Sequence, residues 1–266
     1  MLDEGIIEDI ERFVEAELEG RKYPGSSLSL VDGDKILWSR GFGYSDVDEK
    51  INASPTTVYR CASVTKPVVT VGLLQLMERG EFTLDDEVNR HLDIKIRDIK
   101  GEQPTIRDLL IHQSGMPTHV PPILSMEEET LTMRNYIESA ARSVRPRGEK
   151  WAYCNTAYMI VGYLIELFTG RTYDDYVTEN VLNPLGMNSS TFTLTSAIDS
   201  NLAQGYKRAG GPENPLIPVP PYILGTVPED PAGSLYSTVL DLANFLIMNM
   251  NGGVFDGKRI LEEETI

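Results

Sequence analysis

The sequence predicts an α+β fold in which an antiparallel hairpin near the N-terminus is followed by a block of helices. Three observations support this fold class: an amphipathic N-terminal segment, two alternating apolar runs joined by Asp32-Gly33, and several helix-start signals in the middle of the chain. A chain of 266 residues can bury a sizeable core in one large domain or two small ones.

The first two elements are predicted by different periodicities. The N-terminal helix is indicated by apolar residues at helical spacing, namely Ile6, Ile10, Phe13, Val14 and Leu18. The hairpin occupies S-L-S-L-V-D-G-D-K-I-L-W-S-R-G-F-G-Y-S-D-V-D, with its turn at Asp32-Gly33. A two-stranded hairpin is only marginally stable alone, so we expect further strands to extend the sheet.

Helices are predicted for most of the remaining chain. An apolar helix over 64–79 stops at Gly80, and further helices are expected at 127–142 and 156–168. Capping signals mark three more helix starts, at Thr105 with Asp108, Thr172 with Asp175, and Thr238 with Asp241. Residues 208–233 are crowded with Pro and Gly and are predicted to be loop, and residues after 253 could form one short hairpin at most.

Composition and charge exclude several classes of function. The net charge of −16 and the isoelectric point near 4.6 disfavour nucleic acid and anionic membranes as partners. No window approaches roughly 18 uninterrupted apolar residues, and the acidic N-terminus is unlike a signal peptide, so we predict a cytoplasmic protein. Cys61 and Cys154 form no metal signature and are predicted to be buried free thiols.

Ser63 and Lys66, in R-C-A-S-V-T-K-P, are a candidate nucleophile and base. Residues three apart share one face of a helix, and free backbone N–H groups surround a helix start. Lys66 could accept the serine proton if burial favours its neutral form. The alternative is that Ser63 caps the helix and Lys66 is an exposed residue of its first turn.

Tyr153 and Asn155, in W-A-Y-C-N-T-A-Y, form a second candidate pair. The predicted helix begins at Asn155 or Thr156, and residues two apart share one side of an extended segment, so both side chains could point into a cleft. Tyr153 could relay a proton, and Asn155 could bind substrate or hold Lys66. The alternative is a helix-capping asparagine beside a half-buried tyrosine.

S-x-x-K followed some 90 residues later by Y-x-N resembles the serine β-lactamase and penicillin-binding-protein superfamily, and most closely its class C branch, which includes esterases and D-peptidases. Further segments resemble that branch in the same order, among them F-T-L-D-D-E-V, T-I-R-D-L-L-I-H-Q-S-G-M-P and P-A-G-S-L-Y-S-T-V-L-D-L-A-N-F. The resemblance implies Ser63 as acylated nucleophile, Lys66 as its base, Tyr153 as proton donor or activator of water, and Asn155 as substrate-binding residue. It also implies that His112 is structural. The reaction that it implies needs no cofactor or metal.

The resemblance further implies an α/β sandwich with an antiparallel sheet flanked by helices and an inserted, mainly helical region. The expected domains are 1–77 with 226–266 for the sandwich and 78–225 for the helical region. The family's third element, K-T-G or H-x-G, has no match here, so we expect that the C-terminal strands are missing, that the sheet is incomplete, and that the isolated chain is weakly active or inactive.

The expected reaction is hydrolysis of an ester or amide bond in a small molecule or short peptide through an acyl-enzyme. The alternatives are a β-lactamase or D-Ala-D-Ala carboxypeptidase, or a non-catalytic binding fragment. Homo-oligomerisation, or association with the missing segment, is left open.

Overall fold

The computed structural model describes residues 3–99, 101–118, 132–211, 213–220 and 230–266. The α-helices there are α1 Glu4–Arg21, α2 Thr65–Glu78, α3 Ile106–Leu110, α4 Met133–Ala140, α5 Asn155–Thr169, α6 Tyr173–Val177, α7 Leu194–Asp199 and α8 Val239–Met250. The strands are β1 Gly25–Asp32, β2 Lys35–Asp46, β3 Ile51–Asn52, β4 Tyr59–Arg60, β5 Gly205–Lys207, β6 Ile217–Val219, β7 Tyr236–Ser237, β8 Val254–Phe255 and β9 Lys258–Arg259.

The described residues form two compact units. The first draws on 1–60, 185–223 and 236–259 and holds the nine strands with α1, α7 and α8. The second draws on 61–184, 224–235 and 260–266 and holds α2 to α6. These units divide the chain at residues other than 77/78 and 225/226. The domain boundaries expected from the sequence therefore remain a prediction.

The first unit is built on a three-stranded antiparallel sheet in the order β1-β2-β3. Helix α8 packs against β1 and β2, and α1 contacts β2. Three two-stranded antiparallel pairs complete it: β4 with β7, β5 with β6, and β8 with β9. The predicted α+β class, with small antiparallel sheets flanked by helices, is confirmed.

Several predicted elements have different bounds in the structure. The two-residue hairpin loop is Gly33-Asp34, one residue later than predicted, because Gly33 supplies the positive φ of 58° there. The predicted loop 208–233 contains β6, which pairs with β5, so that prediction is wrong over 217–219. Among the described residues of the predicted helix 127–142, Met133–Ala140 are helical. Residues 127–131, 212 and 221–229 lie outside the described residues.

The second unit is organised around α5. This helix is buried from Thr156 to Ile165, and α2, α3, α4 and α6 all pack against it. Helix α2 is likewise buried along most of its length. The N-terminal ends of α2 and α5 carry the two predicted motifs, so the packing of these helices positions the candidate site.

Within the described part of the chain, we find no helix that combines the length and the hydropathy needed to cross a membrane.

Candidate active site

Ser63 lies in a tight turn that leads into α2. The turn is a 3₁₀ segment, Ala62–Val64, and Ala62 adopts a φ of 45°, which non-glycine residues rarely do. Thr65 fixes the turn, because its Oγ1 donates to the Ala62 carbonyl at 2.6 Å and accepts from the Leu235 N–H at 2.9 Å. The backbone that presents Ser63 is therefore held from both sides.

The Ser63 hydroxyl is exposed and receives two hydrogen bonds. Tyr153 Oη donates to Ser63 Oγ at 2.6 Å, and Lys66 Nζ donates to the same oxygen at 3.1 Å. Neither half of the helix-start alternative holds: the N-cap of α2 is Val64, with no side-chain capping bond, and Lys66 is only 4% exposed.

Lys66 is buried among oxygen atoms and ring faces. Besides Ser63, its Nζ donates to the Ala232 carbonyl at 2.7 Å. The nitrogen also lies 4.8 Å from the ring centroid of Tyr153 and 5.4 Å from that of Tyr158. These contacts hold the amine in one position beside the serine.

The electrostatics of the site act on Tyr153. Its partial burial raises the pKa of the phenol, but hydrogen bonds with Lys66 and Ser63 and the positive charge of Lys66 lower it by more. The pKa of Tyr153 is therefore below the ordinary value for tyrosine. A phenol of this kind gives up its proton more readily than a free one, and the phenolate that forms beside Ser63 Oγ could accept the serine proton.

Asn155 is the first residue of α5, and its side chain is left with an open acceptor. The helix is capped by Cys154, whose Sγ accepts from the Ala157 N–H at 3.3 Å, so Asn155 is not the cap. Asn155 Oδ1 is buried without a hydrogen-bond partner among the described residues. It does not hold Lys66, whose bonds go to Ser63 and Ala232.

Comparison with known proteins identifies the family to which the chain belongs. The model of the Beta-lactamase family matches residues 10–265. The chain belongs to the beta-lactamase family.

Relatives of this beta-lactamase family member are known by sequence and by structure. Protein flp of Staphylococcus aureus strain MW2 is 29% identical over 252 residues, covering 92% of this chain and 49% of the relative. An octameric penicillin-binding protein homologue from Pyrococcus abyssi is 31% identical, with a TM-score of 0.82, covering 97% of this chain and 58% of the other. D-amino acid amidase from Ochrobactrum anthropi SV3, complexed with D-phenylalanine, is 25% identical, with a TM-score of 0.74, covering 93% and 72%. The chain thus spans about half the length of the curated relative.

Two contributors to the site of this beta-lactamase family member were not singled out from the sequence. The Ala232 carbonyl is presented to Lys66 by a turn in which Asp230 Oδ1 accepts from the Ala232 N–H at 2.6 Å. Tyr158 offers its ring face to Lys66 from one turn inside α5. A backbone carbonyl leaves no signal in the residue type, and the pattern of a helix does not distinguish a tyrosine of the site from a tyrosine of the hydrophobic core. The one available signal for Ala232 is that it lies in P-A-G-S, part of a segment that resembles the family.

The cysteines flank the site without forming a disulfide. Cys154 is buried as predicted, whereas Cys61 is partly exposed, so the prediction of two buried thiols is wrong for Cys61. Cys61 precedes the strained Ala62 and lies at the surface turn rather than inside a helix. Across the described ranges, no three His, Cys, Asp or Glu side chains are grouped as a metal site.

Proposed function

We propose that this protein is a serine hydrolase that forms an acyl-enzyme on Ser63 and hydrolyses ester or amide bonds of small substrates. One observation carries the proposal: Tyr153 Oη and Lys66 Nζ converge on Ser63 Oγ, at 2.6 and 3.1 Å. An exposed hydroxyl that contacts two groups able to exchange protons with it has the arrangement required of an activated nucleophile.

The proposed reaction has two halves. Ser63 Oγ attacks the carbonyl carbon while its proton passes to the Lys66–Tyr153 pair, and the pair returns that proton to the departing alcohol or amine. Water then attacks the acyl carbon while Tyr153 accepts a proton from it, the bond between that carbon and Ser63 Oγ breaks, and Tyr153 passes the proton to Ser63 Oγ as the carboxylic acid leaves. Asn155 Oδ1, an acceptor without a partner, would receive a hydrogen bond from an N–H of the substrate.

Covalent labelling tests the proposal. We expect a fluorophosphonate probe to add to Ser63, with loss of fluoride, and the mass of the modified peptide to identify the residue. Ser63→Ala should abolish the adduct, whereas Ser200→Ala, at an exposed serine of the other unit, should leave it intact. If the folded full-length protein acquires no adduct at Ser63, a non-catalytic binding protein is favoured instead.

The substrate class is the second part of the proposal. The relative from Ochrobactrum anthropi is described as a D-amino acid amidase, which supports D-aminoacyl amides and esters. The family description supports β-lactams as the competing class. We expect D-aminoacyl anilides and p-nitrophenyl esters to be hydrolysed with a higher kcat/KM than nitrocefin, and the reverse order would assign a β-lactamase.

A further inference from the structure

We propose that His112 is a positioning residue that fixes Tyr153 at the serine by binding the backbone on both sides of it. The proposal deepens the function of the same site and rests on the acyl transfer proposed above. It concerns a residue for which the sequence indicated only a structural place.

The two bonds from His112 bracket Tyr153. The His112 carbonyl accepts from the Ala152 N–H at 2.8 Å, and its Nδ1 accepts from the Cys154 N–H at 3.2 Å. Tyr153 lies between the two bound residues, and its ring centroid is 4.5 Å from that of the imidazole. The backbone and the ring of Tyr153 are thus both held by one residue.

The backbone of His112 is shaped for this contact. His112 follows Ile111, the C-cap of α3, and adopts a φ of 61°, in the left-handed region that a non-glycine residue occupies at a cost. This conformation ends the helix and turns both the carbonyl and the side chain toward the segment ahead of α5. A ring that served only to fill space would not require a directed acceptor.

The contact requires one protonation state of His112. An Nδ1 that accepts a hydrogen bond has no proton, so the neutral ring carries its proton on Nε2. The imidazolium form has no acceptor, and it would break the bond to Cys154. Burial lowers the pKa of His112, and the charge of Lys66 lowers it further, which keeps the ring neutral around pH 7.

Among the described residues, the titratable groups that face His112 come from three elements. Lys66 lies in α2, Tyr153 and Cys154 precede α5, and Tyr158 lies within α5, with its ring centroid 5.5 Å from the imidazole. None of these is a carboxylate that would stabilise an imidazolium. Protonation of His112 in acid should therefore release the Tyr153 segment and slow acylation.

Two substitutions separate the acceptor from the ring. His112→Asn keeps an acceptor near the position of Nδ1 and tolerates the positive φ, but has no imidazole to titrate. His112→Phe keeps an aromatic ring against Tyr153 but has no acceptor. The rate of fluorophosphonate addition to Ser63 would be measured for each from pH 5 to pH 9, with thermal unfolding to establish that each is folded.

We expect Ser63 of His112→Phe to be acylated about 10²-fold more slowly than in wild type. The reason is that a displacement of about 1 Å of a group that assists the nucleophile lowers the rate by about 10²-fold. His112→Asn should recover most of the lost rate. Its pH profile should keep the rise that comes from the ionisation of Tyr153 and lose the additional decrease in acid that comes from protonation of His112. Equal rates for wild type and His112→Phe, or a decrease in acid for His112→Asn as large as that of the wild type, would overturn the proposal.

Hydrogen exchange separates failure of this inference from failure of the proposed function. The Cys154 amide should exchange slowly in wild type and His112→Asn and at least tenfold faster in His112→Phe. Equal exchange rates of the Cys154 amide in all three proteins would overturn the positioning role of His112 even if Ser63 is reactive. If wild-type Ser63 takes up no probe, the proposed function and the role of His112 in acylation fail together. Slow exchange of the Cys154 amide would in that case still establish the contact between His112 and the backbone.

Discussion

Ser63 differs from an ordinary surface serine because two groups able to exchange protons reach its oxygen at once. Tyr153 and Lys66 also contact each other, since the Lys66 nitrogen lies over the tyrosine ring. This mutual contact lowers the pKa of Tyr153. The pH dependence of acylation should therefore report on the phenol.

Tyr153→Phe should remove from the pH–rate profile the rising limb that comes from the ionisation of Tyr153. A lowered pKa means that, at any pH, more of Tyr153 is ionised than of a free tyrosine. The wild-type rate of Ser63 labelling should thus rise with pH, with a midpoint below the pKa of a free tyrosine. In Tyr153→Phe the rate should fall about 10²–10³-fold and lose this limb. Tyr23→Phe, at an exposed tyrosine, is the control, and a limb that survives in Tyr153→Phe would contradict the assignment.

Ala62 carries backbone strain next to the nucleophile. Its φ of 45° costs an L-residue about 1–2 kcal/mol, more than the roughly 0.4–1 kcal/mol that glycine adds to the entropy of the unfolded chain. Ala62→Gly should therefore be neutral or stabilise the fold by up to about 1 kcal/mol. Ala62→Val, β-branched at positive φ, should lower the melting temperature. A valine variant that melts with the wild type would show that the turn is not strained.

At the scale of elements, the site depends on how closely other segments approach α5. Gly162 lies on this helix, and a Cβ there would come within 2.6 Å of Pro231. Pro231 directly precedes Ala232, whose carbonyl binds Lys66. The close packing of a helix against a turn thus sets the position of a hydrogen-bond acceptor in the site.

Gly162→Ala should reduce both stability and the reactivity of Ser63. Overpacking of this kind costs about 1–3 kcal/mol, and displacement of the 230–235 turn would draw the Ala232 carbonyl away from Lys66. Gly72→Ala is the matched control, because its Cβ would meet a Val177 methyl group at 2.9 Å, away from Ser63. Both variants should melt earlier, but only Gly162→Ala should label more slowly per folded molecule. If the two variants label at equal rates, the packing of Gly162 against Pro231 does not affect the reactivity of Ser63.

Local signals predicted the elements that begin with a capping residue. Thr105, Thr172 and Thr238 all accept a bond from the N–H three residues on, as their spacing to Asp108, Asp175 and Asp241 indicated. Helix α7 and the β5–β6 pair were not predicted. Strand β6 contains a proline and lies in a stretch rich in Pro and Gly, so its pairing is set by a partner strand and not by its own composition.

At the scale of the whole molecule, the charge should select among substrates. With a net charge of −16, the chain should attract cationic substrates and repel anionic ones. For acyl esters matched in shape, kcat/KM should be lower for the anionic than for the neutral compound at low ionic strength. The difference should shrink at about 0.5 M salt, where charges beyond a few ångströms are screened. A preference that does not change with salt would assign the discrimination to local contacts.

The sequence by itself determined the family, the α+β class, the hairpin, the capped helices and the four candidate residues. These features are encoded in short motifs and periodicities, which a chain reveals without its fold. Their roles in catalysis remain proposals, although three of the four side chains meet at one oxygen.

Only the tertiary structure decided what surrounds those residues. The Lys66 nitrogen binds a carbonyl 166 residues away, Tyr153 reaches Ser63 across 90 residues, and His112 binds Cys154 across 42. Contacts of this separation are made by the packing of α2, α3 and the 230–235 turn around α5, and backbone groups take part in two of the three. No local pattern records them, because a backbone carbonyl or N–H is the same in every residue that has one.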